Sequence, residues 1–206
     1  MSLPYFQDTF VGANGTNLTA HDPQFPLPGT TAWSAGSHAL VIESNAASTV
    51  LANAGLYYFN IGPWPTFQLD FDYTLLNATS IITVGVNGDD ALSTEGIVVT
   101  LEGTAGDSFV KIFTSGGTYY AYFDPPLDTA SHHVTMTFDG TVARLYIDTV
   151  KRADLINPGA LPTDAYVVIN LTSATSNYQC LLQNLRVTAL VQQVQTGQQW
   201  PGTYLG

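Results

Sequence analysis

Polar and apolar residues alternate along much of the chain, most clearly in Phe67-Gln68-Leu69-Asp70-Phe71-Asp72-Tyr73. Successive side chains of an extended strand point to opposite faces. Phe67, Leu69, Phe71 and Tyr73 therefore share one face, and Gln68, Asp70 and Asp72 share the other. A strand packed on one side and wetted on the other reads this way. Further strands are predicted over 39–43, 56–60, 80–86, 96–101, 108–113, 118–123, 133–138, 143–148, 165–171 and 179–188. Turn signals separate them: Asn87-Gly88-Asp89-Asp90, Glu102-Gly103, Ser115-Gly116-Gly117, Asp124-Pro125-Pro126 and Asp139-Gly140. Asp-Gly between two alternating runs is a strong hairpin cue. Spacings of three to four between apolar residues are rare, so little helix is expected. Roughly ten to thirteen short strands at these intervals predict an all-β, two-sheet antiparallel jelly-roll sandwich.

The alternation stops near residue 190. Half of the ten Gln (Gln192, Gln193, Gln195, Gln198 and Gln199) fall beyond it, together with Trp200, Pro201, Tyr204 and Leu205. Residues 1–190 are read as the jelly-roll domain and 191–206 as a Gln-rich, extended C-terminal arm. Aromatic residues are enriched at interface cores. Gln198, Gln199, Trp200, Tyr204 and Leu205 are thus the residues expected to contact a neighbouring subunit; a frayed tail is the alternative.

Composition narrows the partners. The chain has 206 residues, 45% hydrophobic and only 10% charged, and its five Lys+Arg against sixteen Asp+Glu give a net charge of -11. Nucleic acid and anionic membrane surfaces both demand clustered cations, which are lacking. The apolar content is too high for intrinsic disorder, and no run approaches the length of a transmembrane helix. The opening residues have neither a basic nor an apolar signal region, so no Sec-type address is expected. With so few Lys and Glu, the outer faces of the sheets are expected to be Thr, Ser and Asn. Such faces cost little to desolvate against protein subunits or neutral sugars. The single cysteine lies in the run Cys180-Leu181-Leu182 and is expected to be a buried, inert thiol. No disulfide and no zinc-spaced cluster can be drawn.

Two segments carry a family resemblance. One is Ser131-His132-His133-Val134-Thr135-Met136-Thr137-Phe138-Asp139-Gly140-Thr141-Val142-Ala143-Arg144-Leu145-Tyr146-Ile147-Asp148; the other is Asp8-Thr9-Phe10 followed by Asn14-Gly15-Thr16-Asn17-Leu18-Thr19-Ala20-His21-Asp22-Pro23. They resemble the concanavalin A-like lectin/glucanase superfamily, in particular laminin G-like jelly rolls of the kind found in tailed-phage virion proteins. The family pattern has Trp where Ser131 stands and Gly where Thr149 follows Asp148. The resemblance spans Asp8 to about Thr188. It implies that the first and last strands lie side by side in one sheet, and that His132 and His133 are packing residues at a strand start. It does not fix function, because the superfamily includes lectins, glycanases, adhesion modules and viral structural proteins.

Candidate chemistry is sparse. Glycanases need two carboxylates on one face, and only Glu43, Glu95 and Glu102 are glutamates; Asp70 and Asp72 are the nearest same-face pair. A solvated sheet face is the expected reading of that pair. Asn87, Asp89 and Asp90 are weak calcium candidates, since a hard cation takes six to eight oxygen ligands; no cofactor is otherwise expected. His132 and His133 are adjacent on one strand, so they point apart and cannot ligate together. No Gly-x-Ser-x-Gly elbow is present. Trp33, Trp64 between two prolines, and the pair Tyr119-Tyr120 are candidates for carbohydrate or partner binding. Three functions follow. The first expectation is a non-enzymatic virion structural protein of a tailed phage: a capsid decoration (cement) protein, or else a tail or fibre module. It would be made in the host cytoplasm and bind capsid or other virion subunits as a dimer or trimer. The second is an extracellular or virion-borne carbohydrate-binding module. The third is a glycoside hydrolase.

Overall fold

The computed structural model describes residues 4–25, 33–35, 39–49, 55–63, 66–88, 95–104, 107–114, 116–157, 164–173 and 179–190. Among these residues the chain forms fifteen strands and one 3-10 turn, Leu18–Ala20. The strands are β1 (Pro4–Asp8), β2 (Ser34–Ala35), β3 (Leu40–Glu43), β4 (Ala46–Thr49), β5 (Gly55–Pro63), β6 (Phe67–Leu75), β7 (Ser80–Asn87), β8 (Gly96–Glu102), β9 (Ser108–Thr114), β10 (Gly117–Phe123), β11 (His132–Phe138), β12 (Val142–Ile147), β13 (Val150–Ile156), β14 (Asp164–Ser173) and β15 (Cys180–Ala189). No helix among the described residues is long and apolar enough to cross a membrane.

All pairings are antiparallel. Sheet A runs β13-β12-β11-β6-β15-β4-β3, with β1 also on β15; sheet B runs β10-β9-β8-β7-β14-β5-β2. The expected two-sheet jelly-roll sandwich is thus present. The first and last strands do meet: Asp8 lies opposite Leu185 and Pro4 opposite Thr188. One edge of β15 is divided, because β4 takes it at Leu182 while β1 takes it from Leu185 onwards.

The core fills the space between the sheets. In β6, Phe67, Leu69, Phe71 and Tyr73 are buried and Gln68, Asp70 and Asp72 are half-buried, as the alternation requires. Cys180 is fully buried, and burial pushes its thiol up to about 12. The Asp139-Gly140 signal does join β11 to β12, with Gly140 at φ 96. Two more hairpins have two-residue turns with both residues at positive φ, Ser44-Asn45 (53, 58) and Asp148-Thr149 (50, 68). That conformation is demanded by a type I′ turn. Thr149 occupies it without the glycine that the family pattern has there.

The predicted strands do not include β1, β2, β4 or β13. β4 reads Ala-Ala-Ser-Thr and is buried on both faces, so it has no alternation to read. β13 is an edge strand of mostly exposed residues, with Lys151 paired to Asp154 at 2.5 Å; charge on an edge is a device against aggregation.

Candidate functional site

The outer face of sheet B is the less polar of the two. Registers place Tyr120 opposite Lys111, Lys111 opposite Val98, Val98 opposite Gly85 and Gly85 opposite Val168. The next row holds Tyr122, Phe109, Thr100, Thr83 and Asn170, and the row on the other side holds Phe113 and Tyr166. Val98, Phe113 and Val168 form a buried apolar cluster with Tyr166 packed on it, separate from the main core. Gly85 permits that packing. A Cβ there would come within 2.6 Å of Val98 Cα and Cγ1, so no larger residue fits between the strands.

Aromatic rings dominate the edge of this face. Tyr120 and Tyr122 lie nearly parallel, with centroids 5.8 Å apart and 14° between planes. Phe109 meets both edge-on, at 5.4 and 5.8 Å. Offset and T-shaped contacts of this kind are the favoured geometries of aromatic pairs, so the three rings hold one another in place. Tyr122 nonetheless remains 64% exposed and Tyr120 44%. Beside them a depression of about 160 Å³ is lined by Thr83, Val98, Thr100, Phe109, Lys111 and Phe113. The Thr83 and Thr100 hydroxyls are 3.0 Å apart. Asn170, next to Thr83 in register, has a buried Oδ1 with no hydrogen-bond partner. Lys111 Nζ sits 3.5 Å from the Phe113 centroid, and burial pulls its ammonium below the usual lysine range. Glu102, two residues past Thr100 on β8, ends the face; burial and then Asp107 push its carboxyl above the usual range.

The outer face of sheet A is polar. Asp70 accepts from Gln68 Nε2 (2.8 Å) and from Thr135 Oγ1 (2.9 Å). His133 Nδ1 lies 2.6 Å from Asp72 Oδ1, and Asn184 Nδ2 donates to Asp72 Oδ2 at 2.5 Å. Asn184 (φ 53) stands where the β15 register shifts, and such bulges re-aim side chains. The Asp70/Asp72 pair is therefore a sheet-face pair, as expected, tied into a hydrogen-bonded network.

The predicted residues divide among these places. Tyr120 belongs to the sheet B face, but its neighbour Tyr119 is half-buried on the opposite side of β10, the side that Ala121 and Phe123 pack against the core. Tyr122, Phe109 and Lys111 escaped the sequence reading. Period-two spacing from Tyr120 points to Tyr122, whereas Phe109 and Lys111 need the cross-strand register. Trp33 is not a binding aromatic. It is 2% exposed, its Nε1 donates to Asp8 Oδ2 at 2.8 Å, and it packs edge-on to Phe6 and stacks on Phe10. Asn87 is fully buried at the end of β7 rather than open on a loop, which removes it as an accessible calcium ligand. Among the described residues no group of three His, Cys, Asp or Glu is placed to hold a metal ion. Trp64, Asp89, Asp90 and the arm residues Gln198, Gln199, Trp200, Tyr204 and Leu205 lie outside the described residues. His132 and His133 point apart: His132 is buried between Asp148 (2.6 Å) and Asp128 (2.8 Å) and tilted against Tyr73, while His133 faces solvent.

No protein-family model and no curated protein matches the chain. Solved structures do. The laminarinase from Rhodothermus marinus is similar with a TM-score of 0.64 at 10% identity, over 93% of this chain and 98% of that one. The carbohydrate binding module CBM66 from Bacillus subtilis is similar with a TM-score of 0.61 at 14% identity, over 80% and 100%. An immunostimulatory antigen and pseudo β-1,3-glucanase of Mycobacterium tuberculosis has a TM-score of 0.62 at 14% identity, over 92% and 99%. The fold of these neighbours is consistent with the carbohydrate-binding alternative and lends no support to the virion expectation. They also overturn the expectation of a non-enzymatic chain, because laminarinases share the architecture and link it to glycoside hydrolases at the level of fold. The chain shares the two-sheet antiparallel jelly-roll sandwich fold of this carbohydrate-binding module and this laminarinase.

Proposed function

We propose that this chain binds glycans on the outer face of sheet B. The observation that carries the reading is the pair of exposed rings, Tyr120 and Tyr122, braced by half-buried Phe109 beside a small, mostly apolar depression. The negatively polarised face of an aromatic ring attracts the C–H groups of a sugar ring. Braced rings lose little freedom when a ligand settles on them, so less of the contact energy is spent on ordering. The Thr83 and Thr100 hydroxyls, which line the depression, supply donors and acceptors for sugar hydroxyls. A mostly apolar concavity with a few placed polar groups is the general form of a small-ligand site. The fold shared with a carbohydrate-binding module supports the same reading.

Affinity electrophoresis in gels containing β-glucans and acidic polysaccharides tests it. Wild type is retarded by at least one polysaccharide, and Tyr122→Ala or Tyr120→Ala reduces the retardation about tenfold, the scale of ~1.4 kcal/mol. Unchanged retardation in both variants would remove sheet B as the site. A second reading, glycoside hydrolysis, is favoured by one observation: Glu102, with its raised pKa, lies on the same face as the rings. An upward shift of a carboxyl is the direction a general acid needs. Reducing-end release from a bound glycan that is abolished by Glu102→Gln is the outcome expected of that reading.

A further inference from the structure

Among the described residues, Lys111 is the cation for which the sheet B face provides no counterion. The other described cations have acidic company: Arg144 bonds Asp139 at 2.6 Å, Lys151 bonds Asp154 at 2.5 Å, Arg152 faces Asp148, and Arg186 lies opposite Asp70 in the β15–β6 register. Among the described residues no carboxylate pairs with Lys111. Its Nζ lies 3.5 Å from the Phe113 centroid and 5.6 Å from that of Tyr120, and its side chain lines the depression with Thr83 and Thr100. Rings on two sides shed water from the ammonium. The nearest described acids at the end of this face are Asp107, four residues before Lys111, and Glu102, four residues beyond the position opposite it, each about 13 Å away along the strands. In a chain of net charge -11, a half-buried ammonium on an acid-free stretch stands out as a site short of negative charge.

We infer that the glycan bound on sheet B carries an anionic oxygen group on its ring, a carboxylate or a sulfate, and that Lys111 receives it. The inference rests on the glycan-binding reading above. An anionic acceptor adds a direct charge–charge attraction to the ammonium that a neutral hydroxyl lacks. A partly dehydrated ammonium discriminates between the two more than a fully hydrated one does. The overall negative charge opposes a polyanion at long range. At about 0.15 M salt the Debye length is about 8 Å, so distant acids are screened while the contact at Lys111 is not. Short oligosaccharides are therefore the ligands to use.

Isothermal titration at that salt concentration compares three probes: a galacturonate tetrasaccharide, a sulfated galactan tetrasaccharide and a neutral β-1,3-glucan tetrasaccharide. Wild type binds at least one charged probe ten-fold or more tighter than the neutral one, and which charged probe wins separates carboxylate from sulfate. Lys111→Gln lowers that charged-to-neutral ratio at least tenfold, whereas Lys111→Arg keeps most of it. Thermal melts confirm that each variant is folded. If the neutral probe binds as tightly as both charged ones, or Lys111→Gln leaves the ratio unchanged, the inference is wrong. Neutral binding that depends on Tyr122 would then leave the glycan reading standing. Absence of binding by all three probes would bring down both.

Discussion

At Asp8 the chain buries a carboxylate completely and surrounds it with donors. Oδ2 takes the Trp33 indole N–H at 2.8 Å; Oδ1 takes the Phe10 backbone N–H at 2.7 Å and contacts His21 Nε2 at 2.8 Å. Phe10 is held at φ 54 by this turn, with its ring stacked on Trp33. One side chain thus joins the end of β1, the loop after it and a core tryptophan. Asp8→Ala strands the Trp33 and Phe10 donors, each at a cost of about 1–3 kcal/mol. The expected loss in urea unfolding is about 3 kcal/mol, with Asp8→Asn losing less because it keeps an acceptor. A loss below ~1 kcal/mol in the alanine variant would show that the network is incidental. Nothing in the sequence distinguishes Trp33 as a core residue, because its partner lies twenty-five positions away and is an aspartate.

The hairpins display chemistry that is local and therefore readable. Asp139 begins the β11–β12 turn, accepting from the Thr141 and Val142 N–H groups, and Arg144 bonds its Oδ2 at 2.6 Å. The Arg144 guanidinium, then the Val142 N–H, hold the Asp139 carboxyl down to about 2. A carboxyl whose folded pKa lies below its unfolded one stabilises above the unfolded value, and that contribution fades as pH falls through the folded one. Asp139→Asn is expected to lower stability at pH 6 and to flatten the decline between about pH 4 and 2. Equal slopes in the two proteins over that window would count against the pairing. The partial exposure of both side chains keeps the effect small. Alternation likewise made β6, β11 and β12 legible, because buried and more exposed residues alternate along most of each. β4 was illegible because both its faces are buried, and β13 because it packs little.

For the molecule as a whole, composition leads to the expectation of two outer faces of Thr, Ser and Asn, and the folded chain departs from it by making the two faces unlike. Sheet A carries Asp70, Asp72, His133 and Asn184 in a bonded network, while sheet B carries Tyr120, Tyr122, Phe109 and Lys111. The candidate site was half legible for this reason. Tyr120 was named from sequence, but only the β10–β9–β8 register brings Phe109, Lys111 and Thr100 beside it. The asymmetry predicts that the double variant Asp70→Asn/Asp72→Asn leaves glycan retardation within about twofold of wild type, a difference of ~0.4 kcal/mol. Loss of retardation in that variant would move the site to sheet A.

The neighbours of β6 set the order in which the chain can assemble. Its two partners are β11 and β15, and β15 is the last described strand. During synthesis Phe67–Leu75, the most strongly alternating strand, must wait for nearly the whole remaining chain before its second edge is covered. Pairing of such distant segments is slow, and uncovered edges invite wrong partners. The Asp70 and Asp72 carboxylates on that waiting strand repel a second copy of it. The same two charges that dress the finished sheet thus guard the nascent one.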